Sequence, residues 1–257
     1  MRIATYNCNS VRTRLPAILD WLASHAPDVL CLQETKATDE DFPAAEFRTR
    51  GWHVAFSGEK SYNGVAIVSK TAPLSVETGL DSEPADPARL LLARFPGFAV
   101  LDTYVPQGRA IDHPMYAYKI EWFARLLRFV SARFSPADAL LWCGDLNVAR
   151  HPIDVTHPET KTDHVCYHAA VREAFENVLA FGFTDLFRAA NPTLADYSFY
   201  DYRTRFDPSN RRGWRIDYIL ATPPLSARPF TAAIDILPRT RPKPSDHVPL
   251  FADIALP

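Results

Sequence analysis

The sequence predicts an α/β protein in which two mixed β-sheets pack face to face and helices cover their outer surfaces. Apolar runs of about five residues, each bounded by turn residues, recur from one end of the chain to the other. Helical periods separate only a few of these runs, and short turns that contain Pro or Gly join the others. Because a parallel strand pair needs a crossover connection, this pattern disfavours a purely parallel sheet.

The apolar runs and the helical periods define the predicted elements in chain order. Strands are predicted over residues 2–6, 29–32, 53–56, 64–68, 90–94, 98–103, 139–143, 214–221, 232–237 and 248–254. One helix follows from the spacing of Leu15, Ile18, Leu19 and Leu22, and a second from that of Ile120, Phe123, Ala124, Leu127 and Phe134. A third helix is predicted over residues 168–180.

The composition is that of an ordinary globular protein. The chain has 257 residues, of which 47% are hydrophobic and 23% charged, and this balance excludes disorder, collagen and coiled coils. The 22 prolines concentrate in short connections, none of which is long and polar enough to be an interdomain linker, so residues 1–257 are predicted to form a single domain. A formal charge of −2 provides no overall basic field, so any contact with nucleic acid must use local patches.

The N-terminal sequence and the cysteines bear on the compartment. The first residues alternate like a strand and lack the order of a secretory signal, and no apolar run reaches membrane-spanning length. Cys8, Cys31 and Cys143 lie in or beside apolar runs and are expected to be reduced core thiols, whereas Cys166 is left open. These features predict a cytoplasmic protein, with a monomer as the default and no predictable protein partner.

Acidic, amide and imidazole side chains stand at the ends of predicted strands, where loops over a rigid sheet commonly form a site. The segments that contain them are 6–9, 32–36, 143–147, 213–218 and 244–248. Taken singly, these residues have structural interpretations: Asn7 and Asp145 can cap turns, Glu34 can be a surface acid, and Asp246 can be an N-cap. Asp217 is the hardest to explain in this way, because it interrupts an apolar strand.

His247 is the natural partner of Asp217. A buried carboxylate is costly unless it is paired, and an imidazole that donates to it keeps its second nitrogen free for a phosphate or a proton. Oxygen donors for a metal are offered by Asn7, Glu34, Asp145, Asn147 and Asp246, and His247 completes the candidate metal set. Oxygen donors suit Mg²⁺, or Mn²⁺ as a substitute, rather than zinc, so these residues indicate metal-assisted attack of water on a phosphate ester.

An ordered set of motifs resembles a known family. The motifs are Asn7, LQETK at 32–36, YVPQG at 104–108, GDLN at 144–147, GWRIDY at 213–218 and SDH at 245–247. GDLN or SDH alone would be weak, but the full set in this order resembles the exonuclease III family of DNA repair nucleases, the apurinic/apyrimidinic endonucleases of the endonuclease/exonuclease/phosphatase superfamily. The resemblance covers essentially the whole chain, and it implies a four-layer α/β sandwich with the site at one end of the two packed sheets.

The resemblance also implies roles for the residues at a metal and at the attacking water. The residue that matches Glu34 binds magnesium in this family, with Asn7 and Asp246 close to the metal. Asp145 is expected to activate or position the water, and Asn147 to orient it and to stabilise the transition state.

Other matching positions concern the phosphate. His247, held by Asp217, is expected to bind the scissile phosphate, and the choice of general base between Asp145 and His247 stays open. Tyr104 is expected to hydrogen-bond the phosphate or to assist the leaving oxygen; without the family match, a strand-end aromatic residue would be the simpler interpretation.

The substrate implied by the resemblance is duplex DNA with abasic sites or with blocked or recessed 3′ ends. Phe199, Trp214 and Ile216 match positions that accept a flipped abasic sugar, although apolar core residues would give the same pattern. Further candidate DNA contacts are Asn9, Lys60, Tyr62, Arg89, Arg109, Tyr116, Lys119, Arg211 and Arg212.

One loop departs from the family pattern. Where many relatives carry a Gly-Phe pair, this chain has His164-Val165-Cys166-Tyr167-His168. These residues are expected to narrow the space for a kinked duplex and to shift the activity from abasic-site incision toward trimming of 3′ ends, unless the loop follows another path. His164, Cys166 and His168 also invite a zinc interpretation, but a fourth ligand is not evident.

The leading hypothesis is a magnesium-dependent hydrolase that cuts duplex DNA 5′ to abasic sites and leaves a 3′ hydroxyl, with 3′→5′ exonuclease and 3′-phosphodiesterase activity of open strength. A 3′-end-processing exonuclease or phosphatase with weak abasic incision is the first alternative. A phosphoinositide or nucleotide phosphatase is the second, although it would call for Lys and Arg where Phe199 and Trp214 stand. A catalytically silent DNA-binding module is disfavoured because every catalytic position of the pattern is filled.

Overall fold

Residues 1–255 are described by the computed structural model of the protein, and they form two six-stranded β-sheets. The strands, in chain order, are β1 (Arg2–Asn7), β2 (Val29–Gln33), β3 (His53–Ser57), β4 (Val65–Ser69), β5 (Ser75–Thr78), β6 (Leu90–Phe95), β7 (Phe98–Tyr104), β8 (Leu140–Asp145), β9 (Thr184–Asp185), β10 (Asp217–Ala221), β11 (Phe230–Ile234) and β12 (Leu250–Ile254). The first sheet has the spatial order β11-β12-β1-β2-β4-β3, and the second has the order β5-β6-β7-β8-β10-β9.

Each sheet is mixed. β1 pairs in parallel with β2, and β7 pairs in parallel with β8, whereas the other pairings in the two sheets are antiparallel. A connection with a helix joins each parallel pair, as a parallel crossover requires. The predicted mixed sheets are therefore confirmed.

Helices cover both outer faces. They are α1 (Val11–His25), α2 (Ala44–Arg48), α3 (Pro114–Arg133), α4 (Ala169–Leu179), α5 (Leu186–Ala190) and α6 (Pro223–Ser226). One apolar cluster joins α1 and α2 to the outer face of the first sheet, and another joins α3 and α4 to the second sheet. A third cluster fills the space between the sheets with residues such as Val29, Val100 and Ile219. This order of layers is the expected four-layer α/β sandwich.

The predicted helices agree with the sequence signals at their ends. Ser10 caps α1 by accepting a hydrogen bond from the Thr13 N–H group, and Pro114 begins α3 after the cap residue His113. His168 is the N-cap of α4, so the helix predicted over 168–180 is confirmed with slightly narrower bounds. All four cysteines are buried free thiols, as predicted for three of them.

The main correction concerns the strand predicted over 214–221, which begins only at Asp217. The preceding N–H groups are bonded outside the sheet: Arg215 donates to the Asp154 carbonyl at 2.7 Å, and Ile216 to Ser198 Oγ at 3.2 Å. Predicted strand 232–237 occupies Phe230–Ile234 instead, and the short strands β5 and β9 were not predicted. Within residues 1–255, no helix has the length and apolar character needed to cross a membrane.

Candidate active site

The polar residues predicted from strand ends meet at one edge of the two sheets. Asn7 ends β1 and Glu34 follows β2, and these two strands are parallel neighbours. Asp145 ends β8 and pairs in register with Asp217, the first residue of the antiparallel strand β10. His247 lies shortly before β12. Parallel strands that end here and antiparallel strands that begin here thus bring residues from five segments of the sequence together.

Asn7 holds two carboxylates in place. Its side-chain Nδ2 donates to Glu34 Oε1 at 2.8 Å and to Asp145 Oδ2 at 2.9 Å, while its Oδ1 accepts from the Asn9 N–H group at 3.1 Å. The amide oxygen therefore points to the Asn9 backbone. In this arrangement Asn7 organises two candidate metal ligands, and its own role as a metal ligand stays a prediction.

Glu34 occupies the accessible end of the group. Lys36 Nζ lies 2.8 Å from its Oε2 atom. Burial disfavours the charged carboxylate, but the hydrogen bonds from Asn7 and Lys36 outweigh burial and keep the pKa of Glu34 below its usual value. Tyr104 lies beside it: burial, and the negative charges of Glu34 and Asp145, raise the pKa of the Tyr104 phenol, which therefore stays protonated.

His247 stands between two buried carboxylates. Its Nδ1 lies 2.8 Å from Asp217 Oδ2, and its Nε2 lies 3.6 Å from Asp145 Oδ2. Burial disfavours the imidazolium, but the carboxylates of Asp217 and Asp145 outweigh burial and raise the pKa of His247 to about 10. Burial, together with the charges of Asp217 and Glu34, raises the pKa of Asp145 to about 7. The structure thus brings Asp217 and His247 together as the sequence predicts.

The donor set at this edge fits a hard divalent cation. Among residues 1–255, ligand atoms of Glu34, Asp145 and His247 all lie within 4.8 Å of one another. This group contains two carboxylates, one imidazole and no thiol. Such a set suits a hard cation that prefers oxygen ligands, as Mg²⁺ does. Asp246, also predicted as a ligand, lies outside this group, and its Oδ1 accepts from Asn9 Nδ2 at 3.0 Å.

Asn147 lies directly behind Asp145. Its backbone N–H donates to Asp145 Oδ1 at 3.0 Å, and its side-chain Nδ2 donates to the Val105 carbonyl at 3.0 Å. The side-chain Oδ1 lies 3.8 Å from Cys166 Sγ. These contacts place the predicted transition-state residue beside the carboxylate, with its amide nitrogen anchored to the loop after β7, while its role at a metal stays a prediction.

The three predicted pocket residues are differently exposed. Phe199 and Trp214 are half-buried, and the Phe199 ring lies 5.0 Å from that of His247, whereas Ile216 is only 4% exposed. His164 covers one face of Trp214 with a ring separation of 4.4 Å. His164 is exposed overall, but partial burial of its imidazole, reinforced by the positive charge of Lys119, lowers the pKa of His164 to about 4, so the imidazole is neutral at neutral pH.

The predicted DNA contacts fall into two groups. Arg89 lies over the Tyr104 ring at 5.0 Å, Asn9 lies between Lys36 and Asp246, and Arg109, Lys60, Tyr62 and Arg212 are exposed around the site or elsewhere on the surface. Lys119 and Tyr116 are buried, and Arg211 forms an ion pair with Asp196. The prediction that Lys119 grips DNA is wrong, because its ammonium group donates to backbone carbonyls inside the protein.

The alternative zinc site also fails on geometry. His164 Nδ1 accepts from the Cys166 N–H group, and His168 Nδ1 is hydrogen-bonded to the Tyr116 hydroxyl at 2.8 Å. Within the described residues, the ligand atoms of these three side chains do not lie close enough together to hold a metal.

Sequence reasoning missed two serines that support the site. Ser245 Oγ donates to the Asn7 carbonyl at 2.8 Å and accepts from the His247 N–H group. Ser198 Oγ accepts from the Asp217 N–H group at 3.1 Å. Ser245 belongs to the SDH motif and could have been found there, whereas Ser198 stands in a segment without a chemical signal.

Comparison with known proteins gives consistent matches along the whole chain. The model of the Endonuclease/Exonuclease/phosphatase family matches residues 4–247. Exodeoxyribonuclease III of Haemophilus influenzae is 30% identical over 98% of this chain and 99% of its own length. The solved AP endonuclease of Archaeoglobus fulgidus is 46% identical, with a TM-score of 0.98, and the 3′-5′ exonuclease NExo of Neisseria meningitidis is 38% identical, with a TM-score of 0.94; both matches cover 100% of each chain.

Proposed function

The chain belongs to the endonuclease/exonuclease/phosphatase family, and on that premise we propose that it is a magnesium-dependent DNA repair nuclease. Its main reaction is hydrolysis of the phosphodiester bond 5′ to an abasic site in duplex DNA, which leaves a 3′ hydroxyl. One observation carries this proposal. Asn7 bridges the carboxylates of Glu34 and Asp145, and this pair lies beside the imidazole of His247, which Asp217 holds.

The residues divide the work by charge. Glu34, the partly exposed member of the group that it forms with Asp145 and His247, would hold Mg²⁺, which supplies Lewis-acid polarisation of the phosphate when bound. His247, charged through its carboxylate neighbours, directs its Nε2 side toward Asp145 and is suited to bind the anionic scissile phosphate. Tyr104, kept protonated beside Glu34, can donate its phenolic proton to a phosphate or leaving oxygen.

Asp145 is the better candidate for the general base. A base works best when its pKa lies near the working pH, and the pKa of Asp145 is raised to about 7 by burial. His247 is already protonated at that pH, so it cannot accept a proton first. Asn147, bonded to Asp145 through its N–H group, keeps the carboxylate oriented toward the water.

The aromatic wall formed by Phe199 and Trp214 favours DNA over an inositol phosphate. A flat apolar wall accepts a bare sugar or a terminal nucleotide, whereas a multiply phosphorylated ring needs a cluster of cations. Phe199 and Trp214 are bonded to each other through their backbones, and Phe199 lies beside His247, where the sugar next to the scissile phosphate would lie.

A 3′-end-processing activity is the second candidate function, and one contact favours it. His164 packs on Trp214 and covers part of the aromatic wall. Covering this wall reduces the room for a flipped internal sugar while leaving a terminal nucleotide free to approach from the open side. The similarity to both an AP endonuclease and a 3′-5′ exonuclease is compatible with either activity.

The deciding experiment uses an end-labelled duplex with a single stable abasic-site analogue, incubated with the purified protein in Mg²⁺ or in chelator. A single metal-dependent cut 5′ to the analogue is the expected result. Shortening of the 3′ ends with an intact analogue would assign the second function instead. The same protein tested on inositol phosphates is expected to release no phosphate.

A further inference from the structure

Lys119 is a charged residue buried in the middle of α3. Its side chain is 0% exposed, although a lysine is almost never fully buried unless it has a partner. Its Nζ atom donates to the carbonyl oxygens of Gln107 at 3.1 Å, Asn147 at 2.6 Å and Val165 at 2.9 Å. The three donors of an ammonium group match three acceptors.

The three carbonyls belong to three separate loops of the site. Gln107 lies three residues after Tyr104, Asn147 lies two residues after Asp145, and Val165 follows His164, the residue that packs on Trp214. One ammonium group therefore joins the loop after β7, the loop after β8 and the loop before α4. These are the loops that carry the proposed phosphate donor, the proposed general base and the covered aromatic wall.

The aliphatic part of the Lys119 side chain packs closely against the loop residue Gly108. Gly108 has a φ of +101°, and a Cβ atom there would lie 3.4 Å from Lys119 Cδ and 3.4 Å from Val165 Cβ. Asn147 itself has a φ of +51°, a left-handed conformation that a short polar residue tolerates but that surrounding contacts must hold. The bond to its carbonyl, the shortest of the three at 2.6 Å, is one such contact.

The geometry points to Lys119 as a positioning residue, and this inference rests on the proposed function: the ammonium group holds Asn147, and through it Asp145, in the reactive arrangement. The coupling is direct, because the Asn147 N–H group donates to Asp145 Oδ1 at 3.0 Å while the carbonyl of the same residue accepts from Lys119. A shift of about 1 Å in a reacting group costs on the order of 100-fold in rate. Lys119 acts without contact to DNA, since it is fully enclosed.

The first test compares Lys119→Met, Lys119→Gln and Lys70→Met with the wild-type protein on the abasic duplex. Lys70 is the matched control, because its Nζ also donates to a carbonyl, that of Ala26, but at the opposite end of the strands. We expect the Met variant to lower kcat by about 100-fold and to leave KM within about threefold, because positioning affects the transition state more than binding. Lys119→Gln keeps two donors without the charge and provides a folded variant if the Met variant unfolds.

A double-mutant cycle with Asp145→Ala separates positioning from a general structural effect, because both contacts of Asn147 on this route are made by its backbone and only the Asp145 carboxylate at its end can be removed. If Lys119 acts on Asp145 through the Asn147 backbone, Lys119→Gln should change the residual kcat by less than about threefold in the Asp145→Ala background, since residues that act as a unit are not additive. An equal loss of kcat in both backgrounds would overturn the proposal. So would an Lys119→Gln variant with wild-type kcat, or one whose only defect is a higher KM with a weaker salt dependence of DNA binding.

Hydrogen exchange tests the same inference without any substrate. Exchange in segments 105–109, 145–149 and 164–168 is expected to rise together in the Lys119 variants and to stay unchanged in Lys70→Met. If the wild-type protein cleaves no DNA, the proposed function fails, but this measurement still decides whether Lys119 holds the three loops. Unchanged exchange in all three segments would overturn the inference even if the protein is an active nuclease.

Discussion

Two buried clusters of charge lie on either side of the short segment that precedes β10, and they differ in balance. Asp217 belongs to the first, the catalytic cluster, which we define as Glu34, Asp145, Asp217 and His247. Arg215, two residues earlier, belongs to the second, the ion-pair cluster, which we define as Arg215, Arg188, Asp154 and Asp185. Each cluster has three buried members and one partly exposed member, Glu34 or Arg188, so burial alone does not separate a reactive site from a structural one.

Charge balance does separate them. In the ion-pair cluster, two guanidinium groups meet two carboxylates: Arg215 contacts Asp154 and Asp185, each at 2.8 Å, and Arg188 contacts Asp154 at 2.5 Å. Burial opposes ionisation of Asp154, but Arg215 and Arg188 outweigh it and keep the pKa of Asp154 below its usual value. Every charge there has a partner of opposite sign, as a structural cluster requires.

The catalytic cluster holds three carboxylates against one imidazolium, with Lys36 at its edge. Burial raises the pKa of Asp145, with Asp217 and Glu34 adding to it against the opposing charge of His247, and the carboxylates of Asp217 and Asp145 outweigh burial to raise the pKa of His247, so both groups hold a proton more tightly than isolated side chains do. A divalent cation would supply the missing positive charge. The comparison teaches that an enclosed cluster with unbalanced charge is the one to suspect of chemistry, and the following predictions are designed to test that distinction.

The largest expected effect comes from removing a charge in the catalytic cluster. We expect Asp217→Asn and His247→Ala to lower single-turnover cleavage of the abasic duplex by about 10²–10⁴-fold, the range for positioned proton-transfer and charged groups. The melting temperature should change little for Asp217→Asn, which reduces the unbalanced charge, whereas His247→Ala leaves the buried Asp217 carboxylate without its partner and should lower it, so cleavage by that variant is measured on the folded protein. Near-normal cleavage by the His247 variant would falsify the proposed mechanism.

Removing a charge from the ion-pair cluster should have the opposite character. Arg215→Leu leaves Asp154 and Asp185 short of a partner, and breaking a buried pair in this way costs about 3–5 kcal/mol. Denaturant unfolding measures this loss, and turnover of the remaining folded protein should stay within a few-fold of the wild-type value. The control is Arg2→Leu, which breaks a partly exposed pair with Asp253 and should cost no more than about 1 kcal/mol. Equal losses in the two variants would contradict the structural role of the ion-pair cluster.

Metal binding gives an intermediate effect. Glu34→Gln keeps the hydrogen bond from Asn7 possible but removes the carboxylate charge that fits a divalent cation. We expect the Mg²⁺ concentration for half-maximal cleavage to rise by about 10- to 100-fold, the usual loss when a metal site is weakened. The measurement is a magnesium titration of cleavage, with Glu46→Gln on the exposed helix α2 as the control. An unchanged titration would remove Glu34 from the metal site.

Much of this arrangement could be predicted from the sequence, because strands and polar strand ends leave local patterns. Asn7, Glu34, Asp145 and His247 each stand beside an apolar run, and the shared edge of parallel strands brings such positions together. Asp217 was detectable because it interrupts an apolar run. The residue roles themselves stay predictions until the variants are measured.

Other features could not be predicted, since they depend on contacts between distant segments. Lys119 has the sequence context of a surface helix residue, and only the fold reveals three carbonyls around its ammonium group. The strand predicted over 214–221 begins later than predicted for the same reason. The Arg215 N–H group donates to the Asp154 carbonyl, and an alternation of side chains carries no information on that bond.

The smallest expected effect concerns His164, which lies at the rim of the catalytic cluster. Burial and nearby positive charge lower the pKa of His164 to about 4, whereas an unfolded chain titrates its histidines near 6.5. Between these values the unfolded chain binds a proton that the folded protein does not, so stability falls as the pH decreases from about 6.5 to about 4. His164→Ala should reduce this loss by on the order of 1 kcal/mol after allowance for solvent screening.

Thermal melts at pH 7 and pH 5 measure the difference for wild type, His164→Ala and the control His157→Ala, whose side chain is 62% exposed. The same His164 variant also tests the rim, because it uncovers one face of Trp214. If His164 narrows the aromatic wall, cleavage at an internal abasic site should rise relative to 3′-end trimming, while the His157 variant keeps the wild-type ratio. An unchanged ratio would mean that the wall is wide enough with His164 in place, and the choice between internal and terminal substrates would then depend on the exposed cations around the site.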